Sequence, residues 1–432
     1  LNPHVHEVKK IYQPIKFKAT DLKKGKVQIS NNYNFTNFEN LDFTWRITGD
    51  DRTISSGRLT SLNLNPQESK EIFFNTSNIV QRAGVRYFLT VEAKTRNSKP
   101  LVPKKHLVAW EQFELPLYVP LSKKETNAQF SLVSQENDRL IEIKSNDVHI
   151  VFNKETGFLE SYEVGLVKYL KHPIVSNFWR APNDNDLGNG MPKRTGIWKD
   201  AGKRMQLKDI AVSEIKNSVQ VSTIHFDSLS STTISTQYKI YNEGAIRLDR
   251  KIEILDNTLP EIPRIGVKLS MLGSFNNVTW FGRGPHESYW DRKQSAAIGV
   301  YSGTVWDQTY QYVRPQETGN KTDVFWMAVF NEKRNGLMAV GLPSFDGSVH
   351  RYPYDDLDYY PGAQRHGKLD LVPKDHTDWL IDLKQMGVGG DNSWGAKPMK
   401  KYTLYPGVYN QSMLLIPFTS QGDFTKLSKK RF

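Results

Sequence analysis

Alternation of apolar and polar residues with a period of two runs through most of this chain, and it leaves room for little besides β-strands. Val27 to Asn31 (VQISN), Phe43 to Thr48 (FTWRIT), Tyr87 to Ala93 (YFLTVEA), Val148 to Phe152 (VHIVF), Val219 to Ile224 (VQVSTI), Ala245 to Ile252 (AIRLDRKI) and Met327 to Phe330 (MAVF) alternate or run apolar, and β-branched and aromatic residues fill them. A strand turns successive side chains to opposite faces, so this pattern buries one face of a sheet. Gly, Asn, Asp or Pro lies close to most of these runs, as strand ends require. The best helical stretch, Arg194 to Leu207 (RTGIWKDAGKRMQL), is interrupted by Gly196 and Gly202. The expected fold class is all-β.

Spacing divides the chain. Lys16 to Phe113 holds about seven strand-like runs in about a hundred positions, the size of an immunoglobulin-like β-sandwich without its cysteine pair. Pro116 to Ala128 (PLYVPLSKKETNA) then reads as a linker. From Gln129 to Phe432 the β pattern continues for too long for a simple sandwich and without an internal repeat, which points to a large two-sheet domain. The expected organisation is therefore a sandwich over 1–118, a linker over 119–128 and a large β domain over 129–432.

Composition removes several chemistries. The 432 residues include no cysteine, so thiol nucleophiles, disulfides, Cys-ligated zinc and iron–sulfur clusters are excluded. The net charge of +12 is spread over short runs such as Lys9-Lys10, Lys104-Lys105 and Lys400-Lys401 rather than gathered into one patch, so nucleic acid is not an expected partner. No apolar stretch approaches the roughly 18 residues of a membrane span, and no membrane partner is expected. The histidines, His286, His350, His366 and His376 among them, lack the spacing that would set two metal ligands on one helical face, and no G-x-S-x-G elbow is present.

Four segments rich in aromatic residues, glycine and carboxamides carry the candidate chemistry: Phe178 to Gly190 (FWRAPNDNDLGNG), Trp280 to Arg292 (WFGRGPHESYWDR), Tyr312 to Trp326 (YVRPQETGNKTDVFW) and Gln385 to Pro398 (QMGVGGDNSWGAKP). Asp184, Asn185 and Asp186 do not alternate as an EF-hand demands, and the glycines of FGRGPHE match neither phosphate-binding pattern. Sugars fit the composition better, because a pyranose presents apolar C–H faces to Trp or Tyr and hydroxyls to Asp, Asn and Arg. Trp394, flanked by glycines in GGDNSWG, is the best stacking candidate, with a buried core tryptophan as the alternative.

In these segments the chain resembles the C-terminal part of the large β-galactosidases of glycoside hydrolase family 2. RAPNDNDLG (Arg180 to Gly188), GRGPHESYWDR (Gly282 to Arg292), RPQETGN (Arg314 to Asn320) and MGVGGDNSWG (Met386 to Gly395) stand in the family's order, and NPHVHEVKKIYQPI (Asn2 to Ile15) is similar to the exit from its catalytic barrel. The resemblance implies an immunoglobulin-like domain followed by a terminal β-supersandwich of galactose-mutarotase-like type. It implies a retaining hydrolase of terminal β-D-galactosyl residues whose two glutamates lie on an upstream (β/α)8 barrel. Asn242-Glu243 and Asn331-Glu332 read as turn residues rather than those glutamates, so the chain alone is expected to be inactive.

By the same resemblance Trp394 stacks on the sugar and Gly188 begins a loop that moves over it, a role that suits glycine's backbone freedom. After Gly188 the sequence (NGMPKRTG) departs from the family pattern. Arg180, Asp184, Asn185, Asp186 and Asp391 are expected to support the loops. The implied partners are the galactoside, the chain's own barrel and further copies in a homo-oligomer. The magnesium and sodium ions of the family belong to the barrel, with no cofactor expected in this chain. Two rival readings are a stand-alone carbohydrate-binding module and a galactose epimerase, for which Glu317 and His366 are the only acid–base pair to nominate.

Overall fold

A computed structural model of the chain describes residues 2–60, 62–122, 131–352, 354–358, 371–392, 395–419 and 422–432. It forms two compact units, one within residues 1–124 and one across most of 125–432.

The first unit opens with a helix the period-two reading did not anticipate, α1 (Pro3–Ile11), capped by the Asn2 side chain and started by Pro3. Seven strands follow: β1 (Ile15–Asp21), β2 (Lys26–Asn31), β3 (Leu41–Gly49), β4 (Arg52–Arg58), β5 (Ser69–Phe73), β6 (Tyr87–Thr95) and β7 (Leu107–Leu115). They make a three-stranded sheet β1-β2-β5 and a four-stranded sheet β4-β3-β6-β7. Alternate residues of each, Ile15, Val27 and Ile29 from one and Phe43, Ile47, Leu89 and Val91 from the other, close a single apolar core.

In the second unit a small sheet covers a large one. β8 (Val133–Glu136), β9 (Leu140–Lys144), β10 (Val148–Asn153), β11 (Leu159–Val164) and β12 (Val167–Lys168) form five neighbouring strands. The large sheet begins with β13 (Leu170–Asn177), and after the short helices α2 (Asp184–Gly188), α3 (Met191–Arg194) and α4 (Ala201–Arg204) it continues through β14 (Gln206–Ile215), β15 (Ser218–Asp227), β16 (Thr232–Tyr241) and β17 (Ile246–Ile254). It is completed by β18 (Arg264–Leu272), β19 (Asn277–Gly284), β20 (Ala297–Thr304), β21 (Lys321–Phe330), β22 (Gly336–His350), β23 (His376–Gln385) and β24 (Gly407–Phe418), and the short helix α5 (Phe424–Leu427) follows. Its main path is β13-β18-β23-β22-β24-β17-β16-β15-β14, twelve strands among the described residues with β19 to β21 attached. Ile141, Ile150 and Phe152 of the small sheet pack with Val221, Ile240, Leu248, Leu269, Trp379 and Leu415 of the large one.

Further along the same alternating positions, Ile234, Ile252 and Ile254 belong to another cluster, which holds Phe178, Trp179, Met191 and Trp198. That cluster fixes the short helices. The expected helix over 194–207 is accordingly broken into the end of α3, a 3-10 turn at Gly196–Trp198, α4 and the start of β14. The two glycines inside it differ in cause. A Cβ on Gly202 would lie 2.0 Å from the backbone oxygen of Ser176, whereas one on Gly196 would meet nothing within 4 Å.

Candidate functional site

All four chemistry-bearing segments leave strand ends and meet in one place. Beyond β13, Phe178 and Trp179 are buried in the apolar cluster around α3 and α4, which turns Arg180 inward. Arg180 is wholly buried and binds Asp186 through two hydrogen bonds, from Nε to Oδ2 at 3.2 Å and from Nη2 to Oδ1 at 2.8 Å. Its remaining donors reach the backbone oxygens of Met386 at 2.5 Å and Gly387 at 2.8 Å. Burial alone would lower the guanidinium pKa, but Asp186 beside it, with Glu317 and Asp291 farther off, raises it above the ordinary value. The carboxylate is held as firmly, because Asp186 also completes a capping box with Asn183 at the start of α2.

The second segment supplies Asp291 and Glu287. Asp291 accepts from the backbone N–H of Val388 at 3.0 Å and of Gly389 at 2.9 Å. Glu287 joins the second segment to the third: it accepts from Arg292 Nη2 at 2.6 Å, the Tyr312 hydroxyl at 2.5 Å, Thr318 Oγ1 at 3.2 Å and the Gly319 N–H at 2.8 Å. Burial, then Glu287, drives the Tyr312 phenol far above its usual range, so it stays a donor. In the third segment Glu317 pairs with Arg264 Nη2 at 3.0 Å and accepts from Gln385 at 3.4 Å.

Arg264 ties this site to the sheet beneath, its Nε standing 3.2 Å from Asp382 Oδ2 with both side chains fully buried. Asp382 and Asp346 face each other across β23 and β22, with Gly266 on the other side of Asp382. Burial pushes the Asp382 carboxyl up to about 8, against the pull of Arg264 and with the repulsion of Glu317 and Asp346. Burial likewise raises Asp346 to about 6. Two carboxyls opposed in a dry sheet, with one guanidinium shared between Asp382 and Glu317, retain a proton at neutral pH.

The residues singled out from sequence divide clearly. Arg180, Asp186 and Asn185 join the site, Asn185 donating from Nδ2 to the Val388 oxygen at 3.0 Å, where Asn183 also donates at 3.1 Å. Asp184 is exposed and pairs with Arg314 of the third segment. Asp391 is exposed where the fourth segment leaves the cluster. Gly188 ends α2 as a helical residue, and the left-handed backbone that only glycine adopts readily falls at Gly190, with φ of 71°. The backbone freedom expected of Gly188 thus belongs to its neighbour two residues on. Trp394 and His366 lie outside the described residues, as do 123–128 of the expected linker.

Glu243 and Glu332 are exposed in the turns after β16 and β21, as read from sequence. Asp291, Glu287, Arg264 and Asp382 escaped the sequence reading, although Asp291 and Glu287 stand inside the GRGPHESYWDR run. Among the described residues no three His, Asp or Glu side chains gather as a metal site would require.

A family model described as β-galactosidase small chain matches residues 144–415, and one described as β-galactosidase, domain 4, matches 27–116. A β-galactosidase of Priestia megaterium is 33% identical over 405 residues, covering 94% of this chain and 38% of that protein. One of Vibrio cholerae is 29% identical over 427 residues, covering 96% of this chain and 40% of that protein. Among solved structures, a galactose 1-epimerase from Lactobacillus acidophilus aligns at a TM-score of 0.36 and 8% identity, over 68% of this chain and 99% of that one. The chain thus spans about two fifths of the length of these two curated relatives.

Proposed function

The chain belongs to the β-galactosidase small-chain family, and from that premise we propose that it is the non-catalytic C-terminal portion of a retaining β-galactosidase, buttressing an upstream barrel and completing its galactoside site. In this reading the barrel supplies two carboxylates about 5 Å apart, one as acid/base and one as nucleophile. This chain supplies Trp394 as a stacking face and the stretch from Gly188 as part of the wall around the sugar.

One observation carries the reading. The stem of the loop that bears Trp394 is held by side chains from other segments at every step: the oxygens of Met386 and Gly387 by Arg180, the oxygen of Val388 by Asn183 and Asn185, and the N–H groups of Val388 and Gly389 by Asp291. Gly390 lies so close to Ala396 that a Cβ would be 2.5 Å from its oxygen, and a Cβ on Gly395 would come 3.3 Å from the oxygen of Gly188. Residues 386–390 are fixed at their base and Gly395 lies against Gly188, which supports a binding role for this segment.

Glu317, the acid nominated for an epimerase, is buried and engaged by Arg264 and Gln385, which favours the β-galactosidase reading. The test is Trp394→Ala in the full-length enzyme. Loss of a stacking face costs about 1–3 kcal/mol, by analogy with base–aromatic stacking, so KM for a simple β-galactoside rises roughly 5- to 150-fold. An unchanged KM refutes the assignment.

A further inference from the structure

We infer that Asp291 is a positioning residue for sugar binding, acting through the loop that carries Trp394; the inference rests on the stacking role proposed above. Its carboxylate sits where the backbone of the fourth segment turns two successive N–H groups toward it, Val388 to Oδ1 at 3.0 Å and Gly389 to Oδ2 at 2.9 Å. At 387 nothing larger than glycine fits, whereas 389 has room for a methyl. A Cβ at 387 would stand 2.6 Å from Oδ2 and 3.1 Å from the Tyr402 side chain, and one at 389 would be 3.5 Å from the same oxygen. Gly387 and the amides of Val388 and Gly389 therefore make a cradle shaped to a carboxylate, and Asp291 fills it.

The aspartate is itself held rigidly. Tyr289 and Arg292 exchange two backbone hydrogen bonds, each 2.9 Å, which leaves Trp290 and Asp291 at the tip of a two-residue turn. Both sides of that turn are anchored. Arg292 binds Glu287 at 2.6 Å, and the Trp290 ring meets Tyr402 edge to face at 5.8 Å. Tyr402 in turn accepts the Gly387 N–H at 2.7 Å through its backbone oxygen, so one residue braces both the turn and the cradle.

A charged acceptor on two amides gives short, directional bonds, and it decides which way the peptides at 387–389 face. An asparagine of the same shape keeps one acceptor but sets an NH2 donor against the other amide. The base of the loop then turns. What changes is the place from which the loop starts, while the strands beneath keep their hydrogen bonds. Asp291 touches no reacting atom, and its effect passes through the amides of Val388 and Gly389.

The experiment compares Asp291→Asn, Trp394→Ala and the double variant in the full-length protein, read by steady-state kinetics on a β-galactoside and by hydrogen exchange of the 386–396 segment. Asp291→Asn is expected to raise KM about tenfold with a smaller change in kcat, and to speed exchange at Val388 and Gly389 at least tenfold while exchange in the β17–β24 core stays slow. The double variant is expected to be no worse than Trp394→Ala alone, as for two changes on one path. Unchanged exchange at 388 and 389, or effects of the two substitutions that add in full, overturns the inference. If Trp394→Ala leaves KM unchanged while Asp291→Asn speeds exchange, the stacking role falls and the positioning of sugar falls with it. If Trp394→Ala raises KM and Asp291→Asn does not, only the role of Asp291 is lost. Gly387→Ala, which drives a methyl into the carboxylate, is expected to reproduce the Asp291→Asn pattern, and a different pattern counts against the cradle.

Discussion

Arg180→Ala strikes the buried pair that holds the candidate site together. Arg180 and Asp186 are 0% and 1% exposed, so removing the guanidinium strands a carboxylate away from water. The N–H of Asn183, at 3.1 Å from Oδ2, is a donor that stays with it. An uncompensated buried charge costs about 3–5 kcal/mol. The oxygens of Met386 and Gly387 also lose their donor, although water entering the space left by the side chain offsets part of that. A net loss of about 4 kcal/mol is expected, which lowers the melting temperature of a domain of about 300 residues by roughly 6 °C.

The assay is thermal and urea unfolding of Arg180→Ala, Asp186→Ala and the double variant. Asp186→Ala leaves Arg180 buried with only backbone oxygens and also removes one half of the capping box, the Asn183 N–H bond to Oδ2, while the Asn183 side chain still caps α2. The double variant has no buried charge to strand, so it is expected to be less destabilised than the sum of the two by about 2–3 kcal/mol. A loss below about 1 kcal/mol for Arg180→Ala, or simple additivity, refutes the claim that this pair is a desolvated unit.

Two further perturbations test the sheet beneath. Asp382 carries a carboxyl raised to about 8 from an ordinary 3.8, so the folded state holds a proton that the unfolded chain has released. Its contribution is complete below about pH 4 and is lost progressively as pH rises toward about 8. Asp382→Asn, which imitates the protonated acid, is expected to flatten the fall in melting temperature between pH 5 and pH 8, and an unaltered slope contradicts the assignment. Gly202→Ala is expected to cost about 3 kcal/mol or more in a denaturant titration because its methyl would collide with the Ser176 oxygen, whereas Gly196→Ala, in open space, is expected to be neutral or slightly stabilising. Equal effects at the two glycines contradict the packing of α4 on β13.

The strands at Val27–Asn31, Tyr87–Ala93 and Val219–Ile224 were legible because alternation is a property of adjacent residues: each peptide turns the next side chain to the other face whatever lies elsewhere in the chain. The absence of thiol chemistry and the sugar-like composition of the four segments are local in the same sense. Helix α1 was missed because its apolar residues Val5, Val8 and Ile11 are exposed and serve no core in this unit. The pairings that make the site belong to another scale. Arg180 reaches Met386 across 206 positions, and Asp291 reaches Val388 across 97.

No local pattern distinguishes Asp291, which fills a cradle, from Asp391, which is exposed, or Gly202, pressed against a backbone, from Gly196, which is not. Those distinctions depend on strand register. The shift between Ile265 and Gly266, for example, sets Gly266 opposite Asp382 and Arg264 opposite Gln385, at the strand ends from which the site is built. Period and composition thus determined the all-β class and the segments in which to look for chemistry. Only the packed sheets decided which side chains meet, because a hydrogen bond between distant segments exists only where register, bulges and the absence of a Cβ bring two groups within about 3 Å.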